Sequence, residues 1–429
     1  MARQDRNQSR MAGQDFPALD VTVGSSEPRR RILLDLLQAG LARVEGRACV
    51  ARALSEQVDA SPAGRSWVFA IGKAASAMAL GARDALGVRL QRVLLITKDG
   101  HVAPQARLLP GVEIHEGAHP IPDQRSLEAG QRLLHWLAEM PDSVEPLFLI
   151  SGGASSLVEV LEDHVSVSQW IRLNTEGMSS GIGIEELNAR RRRLSRIKGG
   201  KLCGRLAGRE AQALFISDVP GNDPSIIGSG LLGSMQGMPD KVERKVIASL
   251  EDAIEAVSAE AEAMKLDVRK TPQRFDDDAA RLAVRFTHEL HLHVTQVCVW
   301  GGESTVNLPE HPGRGGRNQH LALAAARLIA GQPNMLLLAA GTDGTDGPTE
   351  DAGALVDADT CARLSLAGLE AEDCIRRADA GTALDASGDL VHTGPTGTNV
   401  GDLVIGLKLS AAAAAIVLED RGTPGSRVV

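Results

Sequence analysis

Residues 67–75 read Trp67-Val68-Phe69-Ala70-Ile71-Gly72-Lys73-Ala74-Ala75. The apolar run has no polar alternation, so it does not suit a strand with one wet face. It suits a strand buried on both faces, as in a parallel sheet. The run stops at a glycine and a lysine, and a helical pattern follows. The same order recurs down the chain. Val93 to Thr97 leads into Lys98-Asp99-Gly100-His101, and Leu147 to Ile150 leads into Ser151-Gly152-Gly153-Ala154-Ser155-Ser156. Leu214 to Ser217 leads into Asp218-Val219-Pro220-Gly221. Buried strands alternating with helices predict an α/β, doubly wound parallel-sheet domain over residues 29–290. Ligands bind such sheets beyond the carboxyl ends of the strands, where all these polar clusters fall.

Residues 241–290 read as mostly helical, with acidic and basic side chains interleaved, and a domain boundary is expected near their end. A smaller α/β or α+β unit then spans 291–420. Its strands are expected at Val294–Trp300, Met335–Ala340, Ala354–Val356 and Leu403–Leu407, with a helix from about Asn318 to Ala330.

At 429 residues the chain exceeds what one core usually organises, so two domains are the default. Aromatic residues make up 2%, with no tyrosine, which leaves little to stack on bases. The formal net charge of −9 also argues against a polyanion surface, so nucleic acid is not an expected partner. No apolar stretch reaches the ~18 residues that span a bilayer. Residues 1–28 are polar and read as a disordered leader without a signal-peptide core. The cysteines Cys49, Cys203, Cys298, Cys361 and Cys374 are odd in number and scattered, which predicts neither disulfides nor a metal site and suggests a reducing, cytoplasmic setting.

Several clusters carry groups suited to anions. Gly72-Lys73 lies between strand and helix, where free N–H groups and a partial positive charge suit phosphate oxygens. Its lysine adds a full charge for a transferring phosphoryl group. The alternative is a lysine on a solvated turn, and neither the Walker A spacing nor Gly-x-Gly-x-x-Gly is present. Ser151 to Ser156 permits a backbone nest around one anion, although glycine-rich turns are common. A basic helix is expected from Glu185 to Lys201, with Ile184, Leu187, Leu194 and Ile197 near one face. Its consecutive arginines point in different directions, so most face water, while one or two reach a carboxylate or phosphate. Arg314 and Arg317 flank Gly315-Gly316 at a helix start, which resembles a phosphate clamp. Asp343 and Asp346, with Glu350 and Asp351 nearby, suit a hard divalent cation or a hydroxyl proton, or else tight turns. Thr393 to Asn399 offers hydroxyls and N–H groups to a phosphate or a polyol. Phosphoryl transfer uses such a set in combination.

These motifs, in this order, resemble the class II glycerate kinase family, the glycerate 2-kinases with a C-terminal MOFRL domain. The likeness runs from about Ser66 to Leu407. It is carried by Ile71 to Ala75, Gly117 to Asp123, Ser151 to Ser156, Ser195 to Gly200, Ser217 to Val219, Gly301 to Thr305, Gly313 to Gln319, Gly341 to Pro348 and Thr393 to Val400.

The resemblance implies a Rossmann-like N-terminal domain, a smaller MOFRL domain and an active site between them. It implies transfer of the ATP γ-phosphoryl group to O2 of D-glycerate, with Mg2+, by a monomer or homodimer. Lys73 then looks like the group that stabilises the transferring charge, and Arg317 like a second clamp. Ser151, Gly152, Gly153, Ser155, Arg191, Lys198, Asn318, Thr393, Thr396 and Asn399 look like the substrate and phosphate surface. Asp218, Asp343 and Asp346 are the candidates for base and metal, with the last two expected to hold the metal. Two rival expectations stand beside this. A hydroxypyruvate reductase would need a dinucleotide fingerprint with an acidic residue ~20 positions on, and the glycines near Gly72 do not supply it. A catalytically silent ligand-binding relative is the other. The chain departs from the family at His320 (usually glutamate), at Ile182-Gly183 (usually Ala-Asp), at Asn222-Asp223-Pro224 (usually Asp-Asp-Pro) and at Leu231 (usually proline).

Overall fold

The computed structural model describes residues 20–21, 26–56, 64–179, 184–234 and 241–422. In chain order the strands are β1 (Asp20–Val21), β2 (Arg65–Ile71), β3 (Leu90–Lys98), β4 (Val112–Gly117), β5 (Val144–Ile150), β6 (Ala211–Ile216) and β7 (Val242–Ala248). They continue as β8 (Val268–Lys270), β9 (Val297–Gly302), β10 (Met335–Gly341), β11 (Gly353–Val356), β12 (Leu390–His392) and β13 (Asp402–Lys408).

The first lobe holds a six-stranded sheet in the order β4-β3-β2-β5-β6-β7, with every pairing parallel. This is the doubly wound order, in which the strand sequence reverses between β2 and β5. Side chains alternate across the sheet as strand geometry requires. Trp67, Phe69 and Ile71 join Trp136 and Leu133 of the helix Gln124–Glu139 in one core, while Val68 and Ala70 join Met78 and Val50 in another. The expected burial of these strands on both faces is observed.

The second lobe is built on a seven-stranded sheet in the order β1-β12-β11-β10-β13-β9-β8. Its pairings are antiparallel except that between β8 and β9. The helices Pro28–Val44 and Leu250–Ala263 pack together against one face. The helices Ala279–Leu292 and Arg317–Ile329 cover the other. Residues of the first two helices share one apolar cluster with Val68 and Leu149 of the first sheet and Val299, Leu338 and Ile405 of the second. The two sheets are therefore joined through a helical layer rather than by a linker.

Several expectations change. The division near residue 290 does not mark the change of sheet, because β8 and the helix Ala279–Leu292 already belong to the second lobe, as does the helix Pro28–Val44. Residues 241–290 hold the expected helical segments, Leu250–Ala263 and the start of Ala279–Leu292, but also β7, which lies at a sheet edge where charged residues are tolerated. Of the expected leader, residues 1–19 and 22–25 lie outside the described residues, while Asp20–Val21 pairs with β12. The basic helix is Ile184–Leu194, shorter than expected. It ends where the Ser195 hydroxyl accepts from the backbone N–H groups of Ile197 and Lys198. Gly183 lies outside the described residues.

The first helix is tied to the second lobe by charge as well as by apolar contact. Glu27 caps it by accepting from the Arg30 N–H. Arg30, 2% exposed, donates to Asp357 at 2.7 Å, to the Leu355 carbonyl at 3.2 Å and to Asp389. Arg363 donates to the same Asp389 carboxylate at 2.7 Å. Without Arg30 the Asp357 and Asp389 carboxylates would share the Arg363 cation alone, and breaking a buried pair of this kind costs about 3 kcal/mol. Arg30→Ala is therefore expected to lower stability by about that amount in urea unfolding. A midpoint equal to wild type would show that the helix is held by apolar packing alone.

Candidate active site

The carboxyl edge of the first sheet presents a row of polar groups in the order of its strands. His119 lies just beyond β4, Lys98 ends β3, Lys73 follows β2, Ser151 to Gly153 follow β5, and Asp218 follows β6. The turns after β2 and β5, at the reversal point, are clasped together. The Ser151 N–H donates to the Ile71 carbonyl at 3.0 Å, and the Lys73 N–H to the Gly152 carbonyl at 2.9 Å. The Ser151 hydroxyl accepts from the Ala74 N–H at 3.0 Å. Gly72 takes φ of 124°, and a Cβ there would stand 2.3 Å from that hydroxyl, so only glycine allows the clasp.

The second lobe answers this row with the loops after β10 and before β13. The Lys73 ammonium donates to Asp343 Oδ2 at 2.6 Å, with the two side chains 15% and 7% exposed. Burial alone would lower the lysine, but the Asp343 carboxylate outweighs it and raises the ammonium. Burial likewise opposes ionisation of Asp343, yet Lys73 and the Thr345 N–H hold that carboxyl well below its ordinary value. Asp218, half-buried, accepts from Asn399 Nδ2 at 3.1 Å. Burial first, and then the Glu303 charge, push its carboxyl up to about 6 against the pull of Lys73. A Cβ on Gly152 would stand 2.0 Å from Asn399 Nδ2 and 2.1 Å from Asp218 Oδ2. The glycine thus marks where three loops meet.

Arg317 opens the helix Arg317–Ile329 and is fixed from behind. Its guanidinium donates to Asp402 at 2.7 and 3.1 Å, a bidentate pair, and also to Glu303. Burial works against the cation, but Asp402 and Glu303 raise it far above its usual range. Charges of Asp218 and Arg317 both reach the Lys73 ammonium. Lys73, Asp343, Asp218, Gly152, Asn399 and Arg317 are thus gathered in one cleft between the lobes.

Other expected site residues are placed elsewhere. Asp346 is 1% exposed, and its carboxylate accepts from the N–H groups of Asn318 at 3.1 Å and Gln319 at 2.8 Å. It therefore caps the helix that carries Arg317, where free N–H groups require an acceptor, and its reading as a metal ligand gives way to that role. Burial pushes this carboxyl up to about 7 in spite of those bonds. Asn318 is buried against the same carboxylate. Lys198 is not on a substrate surface either, because its ammonium is fully buried on Glu159 and the Ser155 carbonyl. Arg191 donates to Asn174 at 2.9 Å. Ser155 is hydrogen-bonded to Ser229 at 2.8 Å. Thr393 donates to the Gly394 carbonyl, and Thr396 to that of Thr342.

Some groups in the cleft escaped attention as individual residues. His119 and Glu303 stood inside quoted motifs, and Lys98 and His101 stood in a polar cluster after a strand. Those were available signals. Asp402, inside a buried strand, and Arg274, which donates to the Asp218 carbonyl at 2.9 Å, carried none.

Among the described residues no group of His, Cys, Asp or Glu is arranged to hold a metal ion by itself. The carboxylates that face the cleft, Asp218, Asp343 and Glu303, fit instead a cation that arrives on phosphate oxygens, as magnesium commonly does. No helix among the described residues is long and apolar enough to cross a membrane.

Comparison with known proteins completes the picture. Residues 32–261 match a domain of unknown function, DUF4147, and residues 296–402 match the MOFRL family. A D-glycerate 2-kinase of Thermotoga maritima is 33% identical over 399 residues, which cover 83% of this chain and 94% of the relative. A chain of Agrobacterium vitis that carries the provisional name of a hydroxypyruvate reductase is 33% identical over 384 residues, covering 79% of this chain and 98% of its own. The crystal structure of a glycerate kinase from Thermotoga maritima superposes with a TM-score of 0.77 at 30% identity, covering 90% of this chain and 100% of the other. With both halves matched in order and a cleft lined by Lys73, Asp343, Asp218 and Arg317, the chain belongs to the glycerate kinase family with a C-terminal MOFRL domain.

Proposed function

We propose that the protein transfers the γ-phosphoryl group of MgATP to O2 of D-glycerate, giving 2-phosphoglycerate and ADP. One observation carries the reading. The Lys73 ammonium of the first lobe lies against Asp343 of the second, in the same cleft as Asp218 and Arg317. In the reaction the glycerate hydroxyl oxygen bonds to the γ-phosphorus and the bond to the bridging oxygen of ADP breaks. The hydroxyl proton passes to Asp218, whose pKa of about 6 leaves it ionised near neutrality yet basic enough to accept it. Lys73 stabilises charge on the transferring group, a role suited to a preorganised cation out of bulk water. Arg317, locked on Asp402, offers its remaining edge to the phosphates without reorganising. Asn399 holds the Asp218 carboxylate in position. Magnesium bound with the nucleotide would neutralise phosphate charge, with Asp343 and Glu303 the carboxylates placed to meet it. The oxidoreductase reading finds no support at the first turn, where Gly72 serves the clasp with Ser151 rather than a pyrophosphate. The free cysteines fit a reducing compartment, and we place the enzyme in the cytoplasm.

The first test is chemical. Protein, D-glycerate and MgATP followed by enolase, with no mutase present, are expected to yield phosphoenolpyruvate. ADP released without phosphoenolpyruvate would direct the phosphoryl group to the other hydroxyl and refute the assignment to O2. Lys73→Met is expected to keep the fold and to lower kcat by about 10²–10³, the usual loss for one preorganised donor. Turnover within a few-fold of wild type would remove the lysine from the chemistry. For Asp218 the sign follows from its role as base, since protonation blocks it. At saturating MgATP, kcat/KM for glycerate is expected to rise with pH through an inflection near the Asp218 value of about 6. A profile flat down to pH values well below that inflection would exclude Asp218 as the base.

A further inference from the structure

One ammonium in the cleft stands without a partner among the described residues. Lys98 ends β3 and is half-buried, yet among the described residues its ammonium forms neither a hydrogen bond nor an ion pair. Its neighbours differ. Lys73 is paired with Asp343, Lys198 with Glu159, and the adjacent Asp99 is turned outward to Arg125. Burial and then the Lys73 charge depress the Lys98 ammonium against the weaker pull of Asp343 and Asp99, so the fold holds two neighbouring cations, of which only Lys73 is in contact with a carboxylate. Such an arrangement is costly until an anion arrives.

The surroundings of Lys98 suit an anion. In the register of the sheet Lys98 lies opposite Gly117, two residues before His119. A Cβ on Gly153 would stand 3.1 Å from Lys73 Cγ and 3.2 Å from the His119 ring, so lysine and imidazole share the space above that glycine. Burial, then Lys73 and Lys98, keep His119 uncharged, and burial does the same for His101. A neutral imidazole still has one N–H to donate.

Position decides which anion. Strands are spaced about 4.8 Å apart, and the order β3-β2-β5-β6 puts Lys98 three strands from Asp218, roughly 14 Å at the strand ends, with Lys73 between. A three-carbon acceptor with its hydroxyl at Asp218 does not extend past Lys73 to Lys98. A triphosphate with its γ-phosphoryl group at Lys73 does. The doubly wound sheet also consists of two mononucleotide-binding halves, of which β2 to β4 form the first.

We propose that Lys98, together with the His119 imidazole, binds the polyphosphate of the nucleotide donor, so that the donor lies over the β2–β4 half of the first sheet and the acceptor over the β5–β6 half. The inference rests on the kinase reading in taking Asp218 as the acceptor's side.

The test is an equilibrium titration of the full chain with MgADP, in the absence of acceptor. Lys98→Met and Lys98→Gln are expected to weaken MgADP at least about tenfold, the loss of one charge-assisted hydrogen bond, and Lys98→Arg to restore most of it. Without ligand the melting temperature of Lys98→Met should be no lower than wild type, because an unneutralised cation is removed. The rise in melting temperature on adding MgADP should shrink with the affinity. Unchanged MgADP affinity in both neutral variants would overturn the proposal. So would a loss confined to the KM for glycerate, or a wild-type protein that binds no MgADP. A wild-type protein that binds MgADP and loses that affinity in Lys98→Met, but does not phosphorylate glycerate, would sink the kinase reading and leave Lys98 on the nucleotide.

Discussion

A buried ammonium requires a counter-charge, and Lys73 finds its own on the opposite lobe. The turn that carries the lysine belongs to a parallel sheet, while Asp343 follows a strand of a mostly antiparallel one. Neither lobe alone supplies a stable setting for its half of the pair, since each charge would be left partly dehydrated without the other. The state of the lysine is therefore a property of how the lobes are docked. Docking in turn depends on the helical layer, where Pro28–Val44 and Leu250–Ala263 share one apolar cluster with both sheets.

The charged groups of the cleft differ because their partners differ. Asp343 touches a cation and stays ionised, whereas Asp218 accepts from an amide donor and feels its cations at a greater distance, so burial and the Glu303 charge prevail and its carboxyl rises. Two aspartates of one cleft are thereby prepared for different tasks, one to balance charge and one to take a proton. Arg317 is held by two carboxylates, the buried Asp402 and the exposed Glu303, which leaves its orientation independent of any ligand. In an enzyme of phosphoryl transfer, where positioning and charge carry most of the catalysis, such fixed groups are the main contribution of the protein.

The same residue types also maintain the scaffold. Asp346, Ser151, Thr396 and Lys198 were all reasonable ligands for an anion or a metal, and each satisfies a buried backbone or side-chain group instead. Buried polar groups must be bonded, and tight Gly-rich loops at strand ends have many such groups. A motif rich in Gly, Ser, Thr and Asp therefore contains both the residues that meet substrate and the residues that hold the loop in shape. Composition and spacing do not separate the two.

The amino-acid sequence by itself determined the parallel sheet, because unbroken apolar runs such as Trp67 to Ile71 fit only strands covered on both faces. It also determined that polar clusters stand at the carboxyl ends of those strands, and of the residues it singled out the structure brings Lys73, Asp218, Asp343, Arg317 and Asn399 near one another. It did not reveal β7, whose charged edge position hides its period, nor the transfer of the first helix to the second lobe, since helix packing partners leave no local mark. Only the tertiary structure decided which aspartate faces Lys73, which one caps a helix, and that the Lys98 ammonium, among the described residues, has no carboxylate in contact with it. Those outcomes turn on distances between segments hundreds of residues apart, and burial fixes the charge of a group only once its neighbours are known.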